Sequence, residues 1–396
     1  MTIADAQRVS PLEAPPRPLR VLMVVEAALA GVGRHALDLC EHLLAGGHEP
    51  HLVYSPQRMD PPFAERLEAM SELPRLALPM KRGIGLADFQ AARAVARYAR
   101  EQGPFDILHG HSSKGGAIAR LAGRRAKVPA VYTPNAISSM NPRTGRLGRL
   151  AATRVERWLG AMTAQIIAVS PEEREHLLEH RIAGDRVSLV PNGIRFPALP
   201  TPGEAREALG LPADKVVIGT VGRLSPQKAP EVLLEAFARV AGVHRDTRLA
   251  IIGRGELEDD LRRRADGLGI ADRIHWLGQQ PGAVSMPAFD IFALPSRYEG
   301  LPYVLLEALA AGLPIVTTTA AGARLLVTPG ETGEMVPPDQ PGPFADALIE
   351  LVGDPDRRRA FGEAARRKGS TFSLEAMAEQ TLAVYARVLT GLPSRR

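Results

Sequence analysis

Two carboxylates stand eight positions apart in the segment Arg297–Glu307. Glu299 lies directly before a Gly and a Pro, which break regular structure, whereas Glu307 lies within the apolar run Tyr303–Ala311, which predicts a helix ending at Gly312. Eight helical residues span only ~12 Å, so one extended polar ligand can contact both acids. The residues around them are almost entirely apolar or turn-forming. We therefore favour a ligand-binding role over two solvated surface acids.

A second segment places two cations after a buried strand. The run Gly219–Val221 ends a strand, the loop that follows carries Gly222, Arg223 and Lys228, and the next helix begins near Pro230. Cations beside a helix N-terminus suit a diphosphate and can neutralise it as a leaving group without a metal.

The chain offers little that predicts a metal site. No Asp-x-Asp loop is present, and Asp259 and Asp260 fall inside a polar helix, where solvation is the simpler interpretation. His109 and His111 close a strand without a third ligand nearby. Because polar residues at the carboxyl end of a parallel strand face the ligand, we favour His111 as a substrate contact. A buried structural histidine remains the alternative.

A glycine motif follows the first strand. Gly31, Gly33 and Ala36 form G-x-G-x-x-A, a weak dinucleotide signal. NAD binding is disfavoured, because Glu26–Ala30 separates the strand from the glycines and the second strand ends at Tyr54 without an acid. The glycines still permit an anion to approach the following helix N-terminus. The alternative is a plain strand–helix turn.

Length and composition indicate a globular protein of two domains. The 396 residues are 45% hydrophobic and 23% charged, and no run approaches the ~20 apolar residues of a membrane span. Residues 1–18 are polar and proline-rich, which predicts a disordered leader and not a signal peptide. The single cysteine, Cys40, lies on an apolar stripe, which predicts a packing residue and fits the cytoplasm.

The positive charge is concentrated in the first half. Residues 1–195 hold 26 Lys and Arg against 19 Asp and Glu, whereas residues 196–396 hold 23 against 25. Five arginines alternate with apolar residues in one predicted helix (Arg143, Arg146, Leu147, Arg149, Leu150, Arg154, Val155, Arg157, Trp158 and Leu159). This pattern fits an anionic membrane or a lipid-linked pyrophosphate acceptor. It equally fits an ordinary surface helix with its leucines in the core and its arginines in solvent. Binding of nucleic acid is disfavoured, because the segment lacks interleaved aromatic residues.

Strands and helices alternate along the whole chain. Predicted strands are 20–25, 51–54, 106–109, 130–132, 165–169, 215–221, 249–252, 290–294 and 315–317, and helices of the first half are 32–44, 86–102, 115–125 and 147–162. Three prolines interrupt the pattern in 195–203, which predicts a linker. We therefore expect an α/β protein with two doubly wound Rossmann-like domains facing across a cleft. They comprise 19–195 and 196–373, with helix 374–390 joining the first.

These segments together resemble the retaining glycosyltransferases of the family-4 group, which have the GT-B fold. The most specific marks are the pair Glu299 and Glu307, the loop from Arg223 to Lys228, and the segment Val190–Ile194. The resemblance extends from Leu19 to about Leu389. The run from His111 to Gly116 is most similar to bacterial capsule and exopolysaccharide transferases.

The resemblance implies a role for each site residue. Arg223 and Lys228, with Gly222, would hold the donor diphosphate, Glu299 the donor sugar and Glu307 the ribose. Gly31 and Gly33 would approach the diphosphate, His111 would face the transferred sugar, and Gly255 would lie near the base. Two departures are Ala30-Gly31 in place of Gly-Gly, and Asn135-Ala136 where relatives often carry His-Gly.

The sequence therefore predicts a cytoplasmic, metal-independent, retaining glycosyltransferase without a cofactor. Its donor would be a nucleotide-diphosphate sugar, with UDP the favoured nucleotide, and its acceptor a saccharide or lipid-linked molecule in surface polysaccharide synthesis. One alternative is a sugar-nucleotide epimerase. Another is a catalytically silent subunit that binds a sugar nucleotide for a partner enzyme.

Overall fold

The computed structural model describes residues 17–81, 85–140, 145–196, 198–320 and 322–391. Nearly all of the predicted leader lies outside these residues. The contacts divide the chain into two compact units, Met1–Asn192 with Leu374–Arg396 and Gly193–Ser373. The division precedes the proline-rich linker, because Ile194 already donates its N–H to the Phe372 carbonyl of the second unit, at 2.9 Å.

The first unit contains a seven-stranded parallel sheet in the order β3-β2-β1-β4-β5-β6-β7. Its strands are β1 Arg20–Val25, β2 Glu49–Tyr54, β3 Arg75–Ala77, β4 Ile107–His111, β5 Ala130–Thr133, β6 Gln165–Ala168 and β7 Val187–Leu189. Its helices are α1 Ala30–Ala45, α2 Pro61–Ala69, α3 Leu86–Glu101, α4 Ser112–Ala126, α5 Arg146–Gly160, α6 Pro171–Glu179 and, from the end of the chain, α15 Leu374–Thr390. The central strands are apolar and buried on both faces, as a parallel sheet covered by helices requires.

Helix α15 is part of the core of the first unit. Met377, Val384 and Tyr385 are buried in the cluster that contains Leu37 and Cys40 of α1. The prediction that Cys40 is a packing residue is confirmed: it is fully buried, and burial raises the pKa of its thiol to about 12.

The second unit contains a six-stranded parallel sheet in the order β10-β9-β8-β11-β12-β13. Its strands are β8 Val217–Val221, β9 Arg248–Ile252, β10 Ile274–Gly278, β11 Ile291–Leu294, β12 Ile315–Thr318 and β13 Gly333–Val336. Its helices are α7 Pro202–Leu209, α8 Pro230–Val243, α9 Glu258–Gly267, α10 Gly282–Ser285, α11 Tyr303–Ala311, α12 Ala323–Leu326, α13 Pro341–Gly353 and α14 Pro355–Gly369. Phe237 and Phe344 are fully buried in its core.

Local sequence signals placed several element ends correctly. Helix α11 has the predicted bounds and ends because Gly312 adopts a left-handed conformation, with φ +74°. Ser170 caps α6, accepting the Glu173 N–H at 3.2 Å. The predicted start of α1 was wrong: the helix begins at Ala30, so Gly31 and Gly33 lie in its first turn.

Helix α5 is fastened to the first unit by a buried ion pair. Arg120 of α4 donates from Nη1 to Glu156 Oε2 at 2.9 Å, and neither side chain is appreciably exposed. The guanidinium also lies 4.0 Å from the ring centroid of Tyr132 and donates from Nε to the Gly116 carbonyl at 2.9 Å. Two desolvated charges therefore position α5 against its neighbours.

This ion pair predicts an asymmetric response to substitution. Glu156→Leu should destabilise the first unit by about 3–5 kcal/mol, because it leaves the Arg120 guanidinium buried without a counter-charge. Arg120→Met combined with Glu156→Leu should recover most of that loss. Urea unfolding of both variants measures the difference; equal stabilities of the single and double variants would contradict the assignment.

Candidate active site

The site residues follow the central strands of the two sheets. In the first unit, β1 pairs with β2 on one side and β4 on the other; in the second, β8 pairs with β9 and β11. Such a switch point leaves a crevice at the carboxyl ends of the strands. Gly31, Gly33 and His111 belong to the first unit; Gly222, Arg223, Lys228, Gly255, Glu299 and Glu307 belong to the second.

The structure brings Lys228 and Glu299 into direct contact. The Lys228 ammonium lies 2.6 Å from Glu299 Oε1, although the residues are 71 positions apart. Arg223, the second residue after β8, is exposed, and its side chain makes no hydrogen bond or ion pair within the described residues. The charges of Lys228 and Glu299 cancel, so Arg223 is the cation that this loop leaves available to an anion.

Arg297 joins the loop after β8 to the loop after β11. Its guanidinium lies 2.7 Å from Glu231 Oε1 and 2.7 Å from Asp339 Oδ1. Its backbone N–H donates to the Gln227 carbonyl at 2.9 Å, and the Gln227 amide donates to the Tyr298 carbonyl at 3.1 Å. Sequence reasoning missed this function of Arg297, because its acidic partners come from distant segments.

Glu307 is buried on α11, one turn after the helix begins. A Cβ on Gly282, the first residue of α10, would lie 2.9 Å from Glu307 Oε2. Glycine at position 282 therefore leaves room for this carboxylate. The requirement for glycine at position 282 could not be seen in the sequence, since 25 residues separate Gly282 from Glu307.

The glycines of the second unit have packing reasons of their own. A Cβ on Gly255 would overlap the Leu224 carbonyl, and a Cβ on Gly222 would contact the Lys228 side chain at 3.5 Å. Leu224 N–H donates to the Arg254 carbonyl at 3.0 Å. The loop after β9 thus supports the loop that carries Arg223 and Lys228.

The first unit contains a cluster of three buried histidines. The ring centroid of His111 lies 4.1 Å from that of His109 and 5.2 Å from that of His35. His109 Nδ1 is 2.6 Å from the Tyr385 hydroxyl and Nε2 is 2.7 Å from Thr133 Oγ1. His35 Nδ1 lies 3.0 Å from Asn192 Oδ1. The sequence analysis selected Val190–Ile194 as a mark of the family resemblance, but it did not predict that Asn192 lies against His35.

His111 differs from its neighbours because both of its ring nitrogens are buried without a hydrogen-bond partner in the described structure. Burial lowers the pKa of His35 to about 4 and that of His109 and His111 well below the usual value, and the neighbouring rings add to the effect at His111. The imidazoles are therefore neutral near pH 7. A neutral ring offers one N–H donor and one acceptor nitrogen.

Gly33 lies under the side chain of Phe63. A Cβ at this position would come within 2.7 Å of Phe63 Cδ2, so packing against α2 alone requires a glycine. The preceding loop is held by Arg58, whose Nη1 lies 2.7 and 2.8 Å from the two carboxylate oxygens of buried Glu26. Neither residue was selected from the sequence.

The loop after β5 is organised by Glu173. This buried carboxylate accepts the N–H groups of Ala136 and Ile137, both at 3.1 Å, and that of Val169 at 2.9 Å. Burial nevertheless raises the pKa of Glu173 to about 7, against the effect of these hydrogen bonds. The Asn135 side-chain Nδ2 atom is buried without a partner in the described structure.

Helix α5, which contains most of the arginine-rich segment 143–159, exposes four of its apolar side chains. The exposed fractions are 84% for Leu147, 57% for Leu150, 51% for Val155 and 54% for Trp158. Of its three leucines, only Leu159 is buried, so a surface helix with all its leucines in the core is excluded. Arg143, the first arginine of the segment, lies outside the described residues.

The described residues include neither a candidate group for a metal ion nor a candidate membrane-spanning helix. No group of three or more His, Cys, Asp or Glu side chains there is arranged to hold a metal ion. Within the same residues, no helix is both long enough and apolar enough to cross a membrane.

Comparison with known proteins gives two family matches. Residues 29–196 match the model described as Glycosyltransferase Family 4, and residues 203–368 match that described as Glycosyl transferases group 1. The chain is 32% identical over 319 residues to D-inositol 3-phosphate glycosyltransferases of Mycobacterium tuberculosis and Mycobacterium bovis. The match covers 77% of this chain and 66% of the relatives, so it spans just under two thirds of their length.

Solved structures share the fold over nearly the whole chain. Anabaena Alr3699/HepE in complex with UDP and glucose has a TM-score of 0.80 and 21% identity, covering 94% of this chain and 100% of the other. WaaG, a glycosyltransferase involved in lipopolysaccharide biosynthesis, has a TM-score of 0.73 and 19% identity, covering 94% and 100%. With two Rossmann-like units and both family matches, the chain belongs to the family-4 glycosyltransferases of the GT-B fold.

Proposed function

We propose that this protein transfers a sugar from a nucleotide-diphosphate sugar, most simply a UDP-sugar, to a saccharide or lipid-linked acceptor. The observation that carries the proposal is the contact between Lys228 and Glu299 beside exposed Arg223, at the carboxyl ends of β8 and β11. An anion can pair with Arg223 and compete with Glu299 for Lys228. The UDP and UDP-glucose complexes of Alr3699/HepE support the choice of donor.

The donor would be held by groups of different chemistry along its length. Arg223 and Lys228 bind the diphosphate, helped by the N-terminus of α8. Glu299 accepts hydrogen bonds from hydroxyls of the sugar, and Glu307 from those of the ribose. Gly255 supports the loop beside the base.

Residues of the first unit have proposed roles of their own. His111 contacts the transferred sugar, and its two unpartnered ring nitrogens support this role. Gly31 and Gly33, in the first turn of α1, would bring backbone N–H groups to the diphosphate.

The reaction would retain the configuration of the anomeric carbon and need no metal. The acceptor oxygen bonds to that carbon on the face from which the diphosphate leaves, and the acceptor proton passes to a diphosphate oxygen. The cations stabilise the leaving group, while Glu299 orients the sugar and stabilises its developing positive charge. No covalent intermediate on the protein is required.

Nucleotide binding tests the donor site. Near 100 times its dissociation constant, UDP should stabilise the native protein by about 2.7 kcal/mol and raise its melting temperature in EDTA. GDP, ADP and NAD at the same concentration are the comparison ligands. A response to NAD alone, or to no nucleoside diphosphate, would contradict a sugar-nucleotide site.

Substitution of Glu299 tests its role. Glu299→Gln should lower the transfer rate from UDP-glucose by about 10²-fold, because it removes charge stabilisation from the transition state. UDP affinity should be unchanged or higher, because Lys228 loses its competing carboxylate. Glu363→Gln, at an exposed acid of the same unit, is the matched control. An unchanged rate for Glu299→Gln would contradict the role.

Product analysis separates transfer from the alternatives. An epimerase would release an altered sugar nucleotide without acceptor, and a silent subunit would bind the donor without turnover. Acceptor-dependent release of UDP would exclude both.

We also propose that α5 rests on an anionic membrane at the cytoplasmic face. Leu147, Trp158 and Val155 project from the side of the helix away from buried Glu156, and arginines lie beside them. Apolar area and nearby cations act together at the surface of an anionic bilayer. A lipid-linked acceptor would be presented at the same surface, and the role of WaaG in lipopolysaccharide synthesis is consistent with that class.

Vesicle sedimentation tests this surface. The protein should bind vesicles containing phosphatidylglycerol more tightly than vesicles of phosphatidylcholine alone, and salt should weaken binding. Leu150→Gln with Trp158→Gln should reduce binding several-fold. Val243→Gln changes an exposed apolar residue on α8 and should have no effect. Equal binding by both variants and the wild type would contradict a membrane role for α5.

A further inference from the structure

Arg297 connects the two loops that carry Lys228 and Glu299. Its backbone N–H donates to the Gln227 carbonyl at 2.9 Å, and its Nη1 group donates to the Pro226 carbonyl. Gln227 stands directly before Lys228 in the chain, and Arg297 stands two residues before Glu299. The arginine therefore joins the main chain on both sides of that ion pair, whose ammonium and carboxylate lie 2.6 Å apart.

The guanidinium of Arg297 pairs with two acids from other segments. Its Nη2 atom lies 2.7 Å from Glu231 Oε1, and its Nε atom lies 2.7 Å from Asp339 Oδ1. Glu231 belongs to the first turn of α8, and Asp339 follows β13. Glu231 is the more buried acid, with 25% of its side chain exposed against 56% for Asp339, so water screens its charge less.

Glu231 depends on Arg297 for its counter-charge. The Oε2 atom of Glu231 is buried without a hydrogen-bond partner in the described structure, and the Oε1 atom accepts from the guanidinium. The N-terminal end of α8 favours a negative charge at this position. Removal of Arg297 would therefore leave a partly buried carboxylate that needs another cation.

Lys228 is the cation that such a carboxylate would take. It lies three positions before Glu231, so the two Cα atoms are at most about 11 Å apart, and both side chains are long. Lys228 already pairs with Glu299. A second carboxylate would compete with a diphosphate for the same ammonium, because each negative charge nearby lowers the attraction of the site for another anion.

We propose that Arg297 is a positioning residue that keeps Lys228 available to the donor diphosphate by pairing with Glu231. Arg297 acts through Lys228 and does not itself contact the donor. The inference rests on the proposed donor site, and it adds the residue on which the charge of that site depends.

A double-mutant cycle on Arg297 and Glu231 tests this role, with the dissociation constant for UDP in EDTA as the measurement. Arg297→Gln should weaken UDP binding at least about tenfold, as loss of one charge-assisted hydrogen bond predicts. Glu231→Gln removes the competing acid and should keep a dissociation constant near the wild-type value. The combined variant should return to within about threefold of the wild type, because the two sites act on each other.

Arg357→Gln is the matched control. Arg357 also pairs with two acids of the second unit, Glu334 at 2.6 Å and Glu350 at 2.8 Å. These partners come from β13 and α13 and not from the loops after β8 and β11. The control should lower the melting temperature, as Arg297→Gln does, and leave UDP affinity unchanged.

Two results would overturn the role of Arg297. One is unchanged UDP affinity in Arg297→Gln. The other is an equal loss in the single and combined variants, which would show that the guanidinium supports the loops without protecting Lys228 from Glu231. If Arg297→Gln does not fold, the combined variant decides alone: near-wild-type affinity supports the role, and a tenfold loss overturns it.

Arg297→Lys gives an independent measurement, because it keeps the positive charge and loses the forked geometry of the guanidinium. It should lose less UDP affinity than Arg297→Gln, and an equal loss would contradict a role through charge. Failure of the wild-type protein to bind UDP is a separate result, and it would contradict the proposed donor site itself.

Discussion

Parallel pairing of the central strands is the constraint on which both units depend. Strand β1 hydrogen-bonds to β2 on one side and β4 on the other, and β8 to β9 and β11. Connections between parallel strands must cross over a face of the sheet. At the centre of each sheet, the connections to the strands on the two sides run in opposite directions, which leaves a space at the carboxyl ends of the central strands. The candidate residues of each unit are at or after these strands, which is why segments far apart in the sequence meet at the same edge of each sheet.

Polar groups at these strand ends fall into two classes. Some are satisfied by the protein itself: Arg297 pairs with Glu231, His109 with Tyr385, and Glu173 accepts three backbone N–H groups. These groups fix loops and rings in place. His111 and Asn135 retain buried atoms without partners in the described structure. Because histidine occurs in both classes, residue type alone does not separate a positioning role from a binding role, and the contacts must decide.

Helix α5 reverses the usual distribution of polarity on a surface helix. Its inward side includes the charge of Glu156, paired with Arg120, and its outward side includes Leu147, Leu150 and Trp158. Leu159 is buried on this helix, and the ion pair of Glu156 with Arg120 adds a polar attachment beside it. The outward face is left for another surface to cover.

The sequence by itself determined the order of strands and helices, the bounds of α11, and the positions of Glu299, Lys228 and Arg223 after their strands. These features follow from local periodicity, helix stop signals and turn residues. It missed β3, β7, β10 and β13, which have three to five residues and too little periodicity to identify. Tertiary structure alone decided that Lys228 pairs with Glu299, that Tyr385 meets His109 across 276 positions, and that Leu150 is exposed. The reason is physical: these outcomes depend on which distant groups the folded chain brings together to satisfy charge and hydrogen bonds, and no local pattern contains that information.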